Sequence, residues 1–387
     1  MDQGTVQIFF AFLRSAIRGT RLTEEEQNTY SPELLDDLFK LSSKHNVSHL
    51  LAYAIKQNGL ITEENTHLEK HIFKAVCRYE QLRYEYEKLC AALETTQIPF
   101  LPLKGAVIRN YYPEAYMRTS CDIDILLHRE NLDAAISYLR DNLNYTFKER
   151  TTHDVSLFSP AGIHVELHFD LVEEGRANNA VDILCNVWEN VSLHENSKYW
   201  YEMSDSFFYF YHIAHMAKHF ESGGCGIRPF IDLWIMDRLD NADFPARDGL
   251  LAQGDLLKFA TTCRDLSNVW FDSAASNETL QKLQRFLLRG GVYGSTVNRV
   301  ALQQKSKGGR VRYILSRIFI PHAQLKRYYP ILCKHPWLSP LMQVRRWLML
   351  LNPRVAKMAK RELATNKNLD KEKAKEMNLL LHNIGLK

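Results

Sequence analysis

The stretch RTSCDIDILL (residues 118–127) places two aspartates, Asp122 and Asp124, at the start of an apolar run. Burying an unpaired carboxylate is costly, so this arrangement calls for a physical reason. Side chains alternate between the faces of a strand, so both aspartates project to one face and Ile123 to the other. Two carboxylates held this close repel each other, and a divalent cation between them relieves the repulsion. The alternative is a strand end whose acids reach solvent.

A second alternating stretch, IHVELHFDL (residues 163–171), follows downstream. One of its faces carries His164, Glu166 and His168, and the other is apolar. An acid in the middle of such a strand is a candidate third metal ligand. The alternative is that Glu166 belongs to an exposed edge strand.

Upstream, LPLKG (residues 101–105) predicts a strand that ends at Lys104 and a helix that begins at Gly105. A helix N-terminus favours a phosphate group, and Lys104 would add a positive charge. Arg118 lies four residues before Asp122, and a guanidinium can hold a phosphate oxygen bidentately. The alternatives are an ordinary turn at Lys104 and a surface arginine at position 118.

Together these stretches resemble the nucleotidyltransferase fold shared by polymerase-β-like enzymes and the minimal nucleotidyltransferases. More narrowly, LPLKGAVIRNYY, RTSCDIDILL, HVELHFDL, HIAHMAKH and IRPFIDL resemble a family of uncharacterised nucleotidyltransferases related to the aminoglycoside-type enzymes. The resemblance covers about residues 30 to 300. It implies a transferase that moves a nucleoside monophosphate from a nucleoside triphosphate, such as ATP, to a hydroxyl group.

The resemblance also implies the cofactor and the site residues. Two Mg²⁺ ions would be held by Asp122, Asp124 and Glu166, which are the catalytic and metal-binding residues. The nucleotide would be bound by Lys104, Gly105, Arg118, His168, Lys218 and His219. The acceptor stays open and includes a sugar, an antibiotic, a peptide or another hydroxyl compound.

The periodicity along the chain predicts an α+β protein with a nucleotidyltransferase-type mixed sheet. We expect an N-terminal helical region at 1–96 and the α+β core at 97–172. We expect a helical region at 173–303 that completes the active-site cleft, and a basic helical C-terminal region at 304–387. Strands are predicted in IPFLPLKG, CDIDILL, YTFKER, HDVSLFS and IHVELHFDL, and long helices in TEENTHLEKHIFKAVCRYEQLRYEYEKLCAALETT and ENLDAAISYLRDNL.

The composition is that of a globular protein, with 45% apolar and 24% charged residues in 387. Seven irregularly spaced cysteines indicate neither a disulfide framework nor a zinc–cysteine site, so we expect reduced thiols in a cytoplasmic protein. No apolar run approaches the length of a membrane-spanning helix.

The net charge of +4 conceals an asymmetry, because residues 304–387 carry nineteen Lys/Arg against four Asp/Glu. Basic residues interleaved with bulky apolar ones indicate contact with anionic lipid or with nucleic acid. The alternative is a helical domain with a basic exterior. If the catalytic residues are inactive, the chain is instead a binding protein that acts through this basic region.

A second rival is a zinc hydrolase built on His212, His215 and His219, which share one helical face. Arg228 and Asp232 have the i, i+4 spacing of a helical ion pair. If Asp122 and Asp124 serve to hold metal, their repulsion predicts that Asp124→Asn leaves the metal-free melting temperature unchanged or higher.

Overall fold

The computed structural model describes residues 3–62, 65–172, 179–306, 309–329, 331–369 and 371–386. The helices are α1 Gln3–Arg18, α2 Glu24–Thr29, α3 Leu35–Lys44, α4 Ser48–Gln57, α5 Glu69–Thr95, α6 Gly105–Ile108, α7 Leu132–Leu143, α8 Asn179–Cys185, α9 Asp205–Glu221, α10 Arg228–Met236, α11 Phe244–Gln253, α12 Leu257–Phe271, α13 Glu278–Arg289, α14 Thr296–Ser306, α15 Arg310–Ile318, α16 His322–Tyr328, α17 Ile331–Lys334, α18 Ser339–Leu348, α19 Pro353–Asn368 and α20 Lys371–Asn383. The strands are β1 Phe100–Pro102, β2 Asp122–Leu127, β3 Thr146–Arg150, β4 Asp154–Phe158, β5 His164–His168, β6 Val191–Leu193 and β7 Tyr201–Met203.

Five strands form a mixed sheet in the order β1-β2-β5-β4-β3. β2 runs parallel to β5, and the pairs β1/β2, β5/β4 and β4/β3 are antiparallel. The predicted α+β class is confirmed, and each of the five predicted strands forms. The long helix predicted from residue 62 begins at Glu69, and residues 63 and 64 lie outside the described part of the chain.

The core lies on one face of this sheet. Ile123 and Ile125 of β2 and Val165 and Leu167 of β5 are fully buried there together with residues of α5 and α7. Because strand side chains alternate, the residues between these apolar positions project to the opposite face. The apolar half of each strand therefore anchors the sheet, and the polar half is left to build a site.

A second, two-stranded sheet of β6 and β7 lies in a region where the sequence predicts only helices. It continues the main sheet at its β1 edge, since the Phe100 N–H donates to the Tyr199 carbonyl at 2.8 Å. The Glu94 carboxylate at the end of α5 accepts hydrogen bonds from the backbone N–H groups of Lys198, Tyr199 and Trp200. One acid therefore fixes the hairpin to the long helix.

The chain divides into two compact units. The first comprises Met1–His215 and Ile227–Leu280 and contains both sheets. The second comprises Met216–Gly226 and Gln281–Lys387 and is helical where the structure describes it. Among the described helices, none combines the length and the hydrophobicity needed to cross a bilayer.

Candidate active site

The parallel pairing of β2 with β5 brings the predicted acids together. Asp124 lies opposite Glu166 in the register, and Asp122 lies opposite His164. The pairing of β5 with β4 adds Asp154 opposite His168. Residues that lie opposite each other share a face, so one face of the sheet collects carboxylates and imidazoles from three neighbouring strands.

Three groups of these side chains have the spacing of metal ligands. The ligand atoms of Asp122, His164 and Glu166 lie within 4.8 Å of one another, and so do those of Asp124, Glu166 and His168. Glu166 belongs to both groups and therefore occupies the centre of the site. The third group, His153, Asp154 and His168, shares His168 with the second.

Lys104 holds the Asp124 carboxylate directly. Its Nζ donates to Asp124 Oδ1 at 2.7 Å, and the Asp124 side chain is only 5% exposed. Lys104 adopts φ 45° and ψ −117°, a backbone conformation that costs a non-glycine residue roughly 1–3 kcal/mol. The lysine therefore reaches the site at an energetic cost to the loop that follows β1.

His168 provides a second contact to the same oxygen. Its Nε2 lies 3.0 Å from Asp124 Oδ1 and 3.4 Å from Glu166 Oε2. Burial acts to lower the pKa of His168, but its hydrogen bonds to Asp124 and Glu166 outweigh burial and raise the pKa. His168 therefore bridges the two carboxylates that the β2–β5 register brings together.

The two aspartates differ in their electrostatic environment. Burial raises the pKa of Asp122, and the neighbouring Asp124 charge raises it further. Burial acts in the same direction on Asp124, but Lys104 and His168 outweigh it and hold the pKa of Asp124 well below its usual range. Asp124 is thus an ionised, compensated carboxylate, whereas Lys104 and His164 offset the repulsion at Asp122 only in part.

Gly105 and Arg109 form the wall beside the aspartates. A Cβ on Gly105 would lie 3.3 Å from the Ser120 Cβ, so a larger residue would have to displace Ser120 by a few tenths of an ångström, and this close approach favours glycine. Gly105 begins α6, which is only four residues long. The buried Arg109 donates to the Gly105 carbonyl at 2.6 Å and to Ser120 Oγ at 2.9 Å, which joins the two loops.

Arg118 is buried and paired. It is therefore not the surface arginine that is the alternative to a phosphate ligand. Its Nε donates to Asp232 Oδ1 at 2.7 Å, and the Tyr112 hydroxyl donates to the same oxygen at 2.7 Å. Arg228, which the i, i+4 spacing pairs with Asp232, instead donates from Nη1 to the Thr119 carbonyl at 2.8 Å. The long-range contact with Arg118 thus replaces the expected local ion pair.

The remaining predicted residues lie on α9. Lys218 and His219 fall in its last turn, in the second unit, and their place in the nucleotide pocket stays a prediction. His212 is buried and lies 3.0 Å from the Pro229 carbonyl, and burial lowers its pKa. Within the described chain, the groups with metal-ligand spacing include none of His212, His215 and His219, so the structure gives the zinc alternative no support.

Two residues of the site, Tyr211 and His164, were given no role from the sequence. Tyr211 on α9 is buried, and its pKa is raised first by burial and also by the nearby Asp124 and Glu166 charges. His164 lies 3.8 Å from Glu166 and opposite Asp122. The strand pattern had placed His164 on the correct face, but Tyr211 lies in an aromatic run that gives no sign of its neighbours.

Comparison with known proteins agrees with this arrangement. A family model described as "Uncharacterised nucleotidyltransferase" matches residues 31–272, which include both aspartates, Glu166 and Lys104. The chain has no match among curated proteins or among solved structures. The match begins in the N-terminal helices and ends just after α12.

Proposed function

This chain belongs to the uncharacterised nucleotidyltransferase family, and we propose that it transfers a nucleoside monophosphate from a nucleoside triphosphate to a hydroxyl acceptor in an Mg²⁺-dependent reaction. The observation that carries the proposal is the β2–β5 register. It sets Asp124 opposite Glu166 and brings Asp122 within ligand spacing of the same glutamate. A nucleotidyltransferase needs acids at this separation because its substrate is a polyanion that arrives with a cation.

The donor set fits a hard divalent cation. Asp122, Asp124 and Glu166 offer carboxylate oxygens, the ligands that Mg²⁺ prefers, on one face of two adjacent strands. We assign two Mg²⁺ ions to these three residues. When bound, such ions stabilise the charge on the attacking and leaving oxygens of an in-line displacement.

The chain's own residues prepare the site for a triphosphate. Lys104 and His168 keep Asp124 ionised, so the carboxylate is ready to act as a ligand. Lys104 is the candidate to donate to a phosphate oxygen when Asp124 takes another cation. Gly105, Arg118 and His168 are assigned to the nucleotide as well, and the Arg118–Asp232 pair would fix the loop that precedes β2. Lys218 and His219 belong to the second unit, and their role at the nucleotide stays a prediction from the sequence.

The test is calorimetric titration of the protein with ATP, GTP, CTP and UTP in Mg²⁺ and in EDTA. We expect one or more nucleotides to bind in Mg²⁺ only, and Asp122→Asn and Glu166→Gln to lose that binding. Asp133→Asn is the matched control, because Asp133 is an exposed aspartate of α7 with 81% of its side chain accessible.

Turnover is tested separately by incubating the protein with labelled nucleotide and a cell extract. A labelled product that requires Glu166 would identify the acceptor as a sugar, an antibiotic, a peptide or another hydroxyl compound. Metal-dependent binding without any product would favour the non-catalytic binding protein. Absence of nucleotide binding would contradict the proposal outright.

A further inference from the structure

The second unit exposes an unusual amount of apolar surface. Of the 25 large apolar side chains that are exposed in the described chain, seventeen lie beyond residue 304. Soluble proteins rarely expose contiguous apolar patches of more than a few hundred Å², and patches above that size mark interaction sites. The concentration of exposed apolar side chains in one fifth of the chain therefore indicates a surface that contacts a partner.

Helix α18 shows how this surface is built. Met342 points inward, where it packs with Leu325 and Leu332 in a small core. Trp347 also turns toward the body of the unit, since its Nε1 donates to the Ile318 carbonyl at 2.9 Å. With its inner face satisfied in this way, the helix has no structural need for apolar residues on its outer face.

The outer face of α18 is nevertheless apolar. Leu341, Val344 and Leu348 follow the i, i+3, i+7 spacing of one helical face, and Leu351 continues it after the helix ends. These side chains are 58%, 46%, 59% and 80% exposed, respectively. We call these four residues the outer stripe.

Basic side chains surround the outer stripe. Arg345 lies between Val344 and Leu348 and is exposed, and the following helix α19 carries the exposed Lys357, Lys360 and Arg361. The whole segment 304–387 has nineteen basic against four acidic residues. A partner that covers the stripe must therefore be apolar where it meets the leucines and negatively charged around them.

An anionic membrane surface has this combination, and nucleic acid matches it less well. Nucleic acids stack their bases on aromatic rings, but only three of the seventeen exposed apolar residues, Phe319, Tyr328 and Trp337, are aromatic. The others are aliphatic or Met, which insert among acyl chains as amphipathic interfacial helices do. The aliphatic composition favours lipid.

We propose that α18 and the start of α19 lie on an anionic membrane, with the outer stripe inserted at the headgroup boundary and the basic residues against the headgroups. This inference is independent of the nucleotidyl-transfer reaction. It specifies peripheral contact with one leaflet rather than a span of the bilayer. Each basic residue at such a surface adds attraction that falls with ionic strength.

The test is flotation of the full chain with vesicles of phosphatidylcholine alone or mixed with phosphatidylserine, at low and high salt. We expect binding to the mixed vesicles only, weakened by salt. The apolar variant Leu341→Ser/Leu348→Ser/Leu351→Ser and the charge variant Arg345→Glu/Lys357→Glu/Lys360→Glu should each lower the vesicle partition coefficient at least about tenfold. All three apolar positions are exposed, so the variant should keep the circular dichroism spectrum of the parent.

Matched controls carry substitutions of the same kind in the first unit. Phe73→Ser/Tyr84→Ser/Phe147→Ser removes exposed apolar residues of the first unit, and Lys40→Glu/Arg140→Glu/Lys148→Glu makes the same change in net charge there. Both controls should float like the parent. Equal loss in variants and controls, no binding to anionic vesicles, or self-association that buries the stripe in sedimentation velocity would each overturn the proposal. So would RNA binding in the absence of vesicle binding.

Discussion

At the scale of single residues, the two aspartates of β2 have opposite energetic roles. Asp124 is buried, and its Oδ1 contacts both Lys104 Nζ and His168 Nε2, so the ionised carboxylate stabilises the folded state. Asp122 has a raised pKa because burial and Asp124 both oppose its ionisation. Repulsion within the pair therefore penalises Asp122, and the substitution that relieves it is at 122 rather than at 124.

This distinction reverses the expectation from sequence for Asp124→Asn. Breaking a buried ion pair by removing one partner leaves the other uncompensated and costs several kcal/mol. We expect Asp124→Asn to lower the metal-free stability by about 3 kcal/mol. Asp122→Asn should leave the stability unchanged within about 1 kcal/mol, or raise it, because it removes a repulsive charge. Urea denaturation in EDTA at neutral pH measures both.

The control is Asp133→Asn, which removes an exposed carboxylate and should change stability little. If Asp124→Asn proved neutral and Asp122→Asn destabilising, the assignment of Lys104 to Asp124 would be wrong. Either result leaves the metal-site proposal to be decided by ligand binding.

Contacts between residues that are far apart in the sequence could not be predicted from it. Alternation identified the faces of Asp122, Asp124 and Glu166, because it depends only on local geometry. The i, i+4 rule favoured Arg228 for Asp232, but Arg118 takes that position from 114 residues away. Lys104 was predicted at the site as a phosphate ligand, whereas its direct pairing with Asp124 depends on the strained turn after β1.

At the scale of elements, the five strands of the main sheet were predictable from the sequence, and the short strands β6 and β7 were not. β5 alternates between polar and apolar residues over all five positions, and β2 and β4 do so over their first four, a pattern that indicates strands. β6 and β7 have three residues each and are only partly buried, so the sequence shows no hydrophobic periodicity that would indicate them. Glu94 contacts the segment that joins them, and a contact over more than a hundred residues leaves no local pattern in the sequence.

The Glu94 contact can be tested by hydrogen exchange. One carboxylate oxygen accepts from three successive backbone N–H groups, at 3.4 Å from Lys198 and 3.2 Å from each of Tyr199 and Trp200. We expect Glu94→Ala to speed amide exchange at these three residues and to cost roughly 1–3 kcal/mol. Glu87→Ala, a change at an exposed acid of the same helix, is the control. Unchanged exchange at residues 198–200 would show that the hairpin does not depend on this acid.

We expect His49 on helix α4 to make the stability of the fold depend on pH. Its Nε2 lies 2.7 Å from the Met117 carbonyl, just before Arg118, and burial lowers the pKa of His49 to about 4. A depressed histidine pKa means that the unfolded chain binds the proton more tightly. Stability is therefore full above the unfolded pKa of about 6.5 and falls as the pH drops toward 4.

We expect His49 to reduce the stability by about 2 kcal/mol between pH 7.5 and pH 5. His49→Gln keeps an amide donor for the Met117 carbonyl but does not titrate. Over this pH interval the stability of the variant should therefore fall by about 2 kcal/mol less than that of the parent. Urea denaturation of both proteins at the two pH values measures the difference. His67→Gln, a change of a histidine elsewhere in the first unit, serves as control. Parallel losses in the parent and in His49→Gln would mean that His49 does not cause the acid sensitivity.

At the scale of the whole molecule, the chain combines an acidic body with a basic end. The segment 304–387 contributes a balance of +15 to a net charge of +4, and this was visible in the sequence. What composition could not reveal is which apolar residues of this segment are exposed, because that depends on which helical faces find partners in the second unit. The contrast between Met342 inside and Leu348 outside on one helix is a product of packing.

The reaction proposed for the first unit predicts that its ligands stabilise the whole chain. A ligand that binds only the folded state adds about 2.7 kcal/mol at a concentration one hundred times its Kd. Mg²⁺ with the preferred nucleoside triphosphate should therefore raise the melting temperature of the parent protein, and EDTA should abolish the effect. Glu166→Gln removes the carboxylate shared by both ligand groups at the acids, so its melting temperature should respond much less to the same addition. The comparison is informative because Glu166 is not the partner of Lys104, so the variant keeps the ion pair that stabilises Asp124. A Glu166→Gln protein that retained the full shift would show that the nucleotide binds without the acids, and the proposed metal site would have to be abandoned.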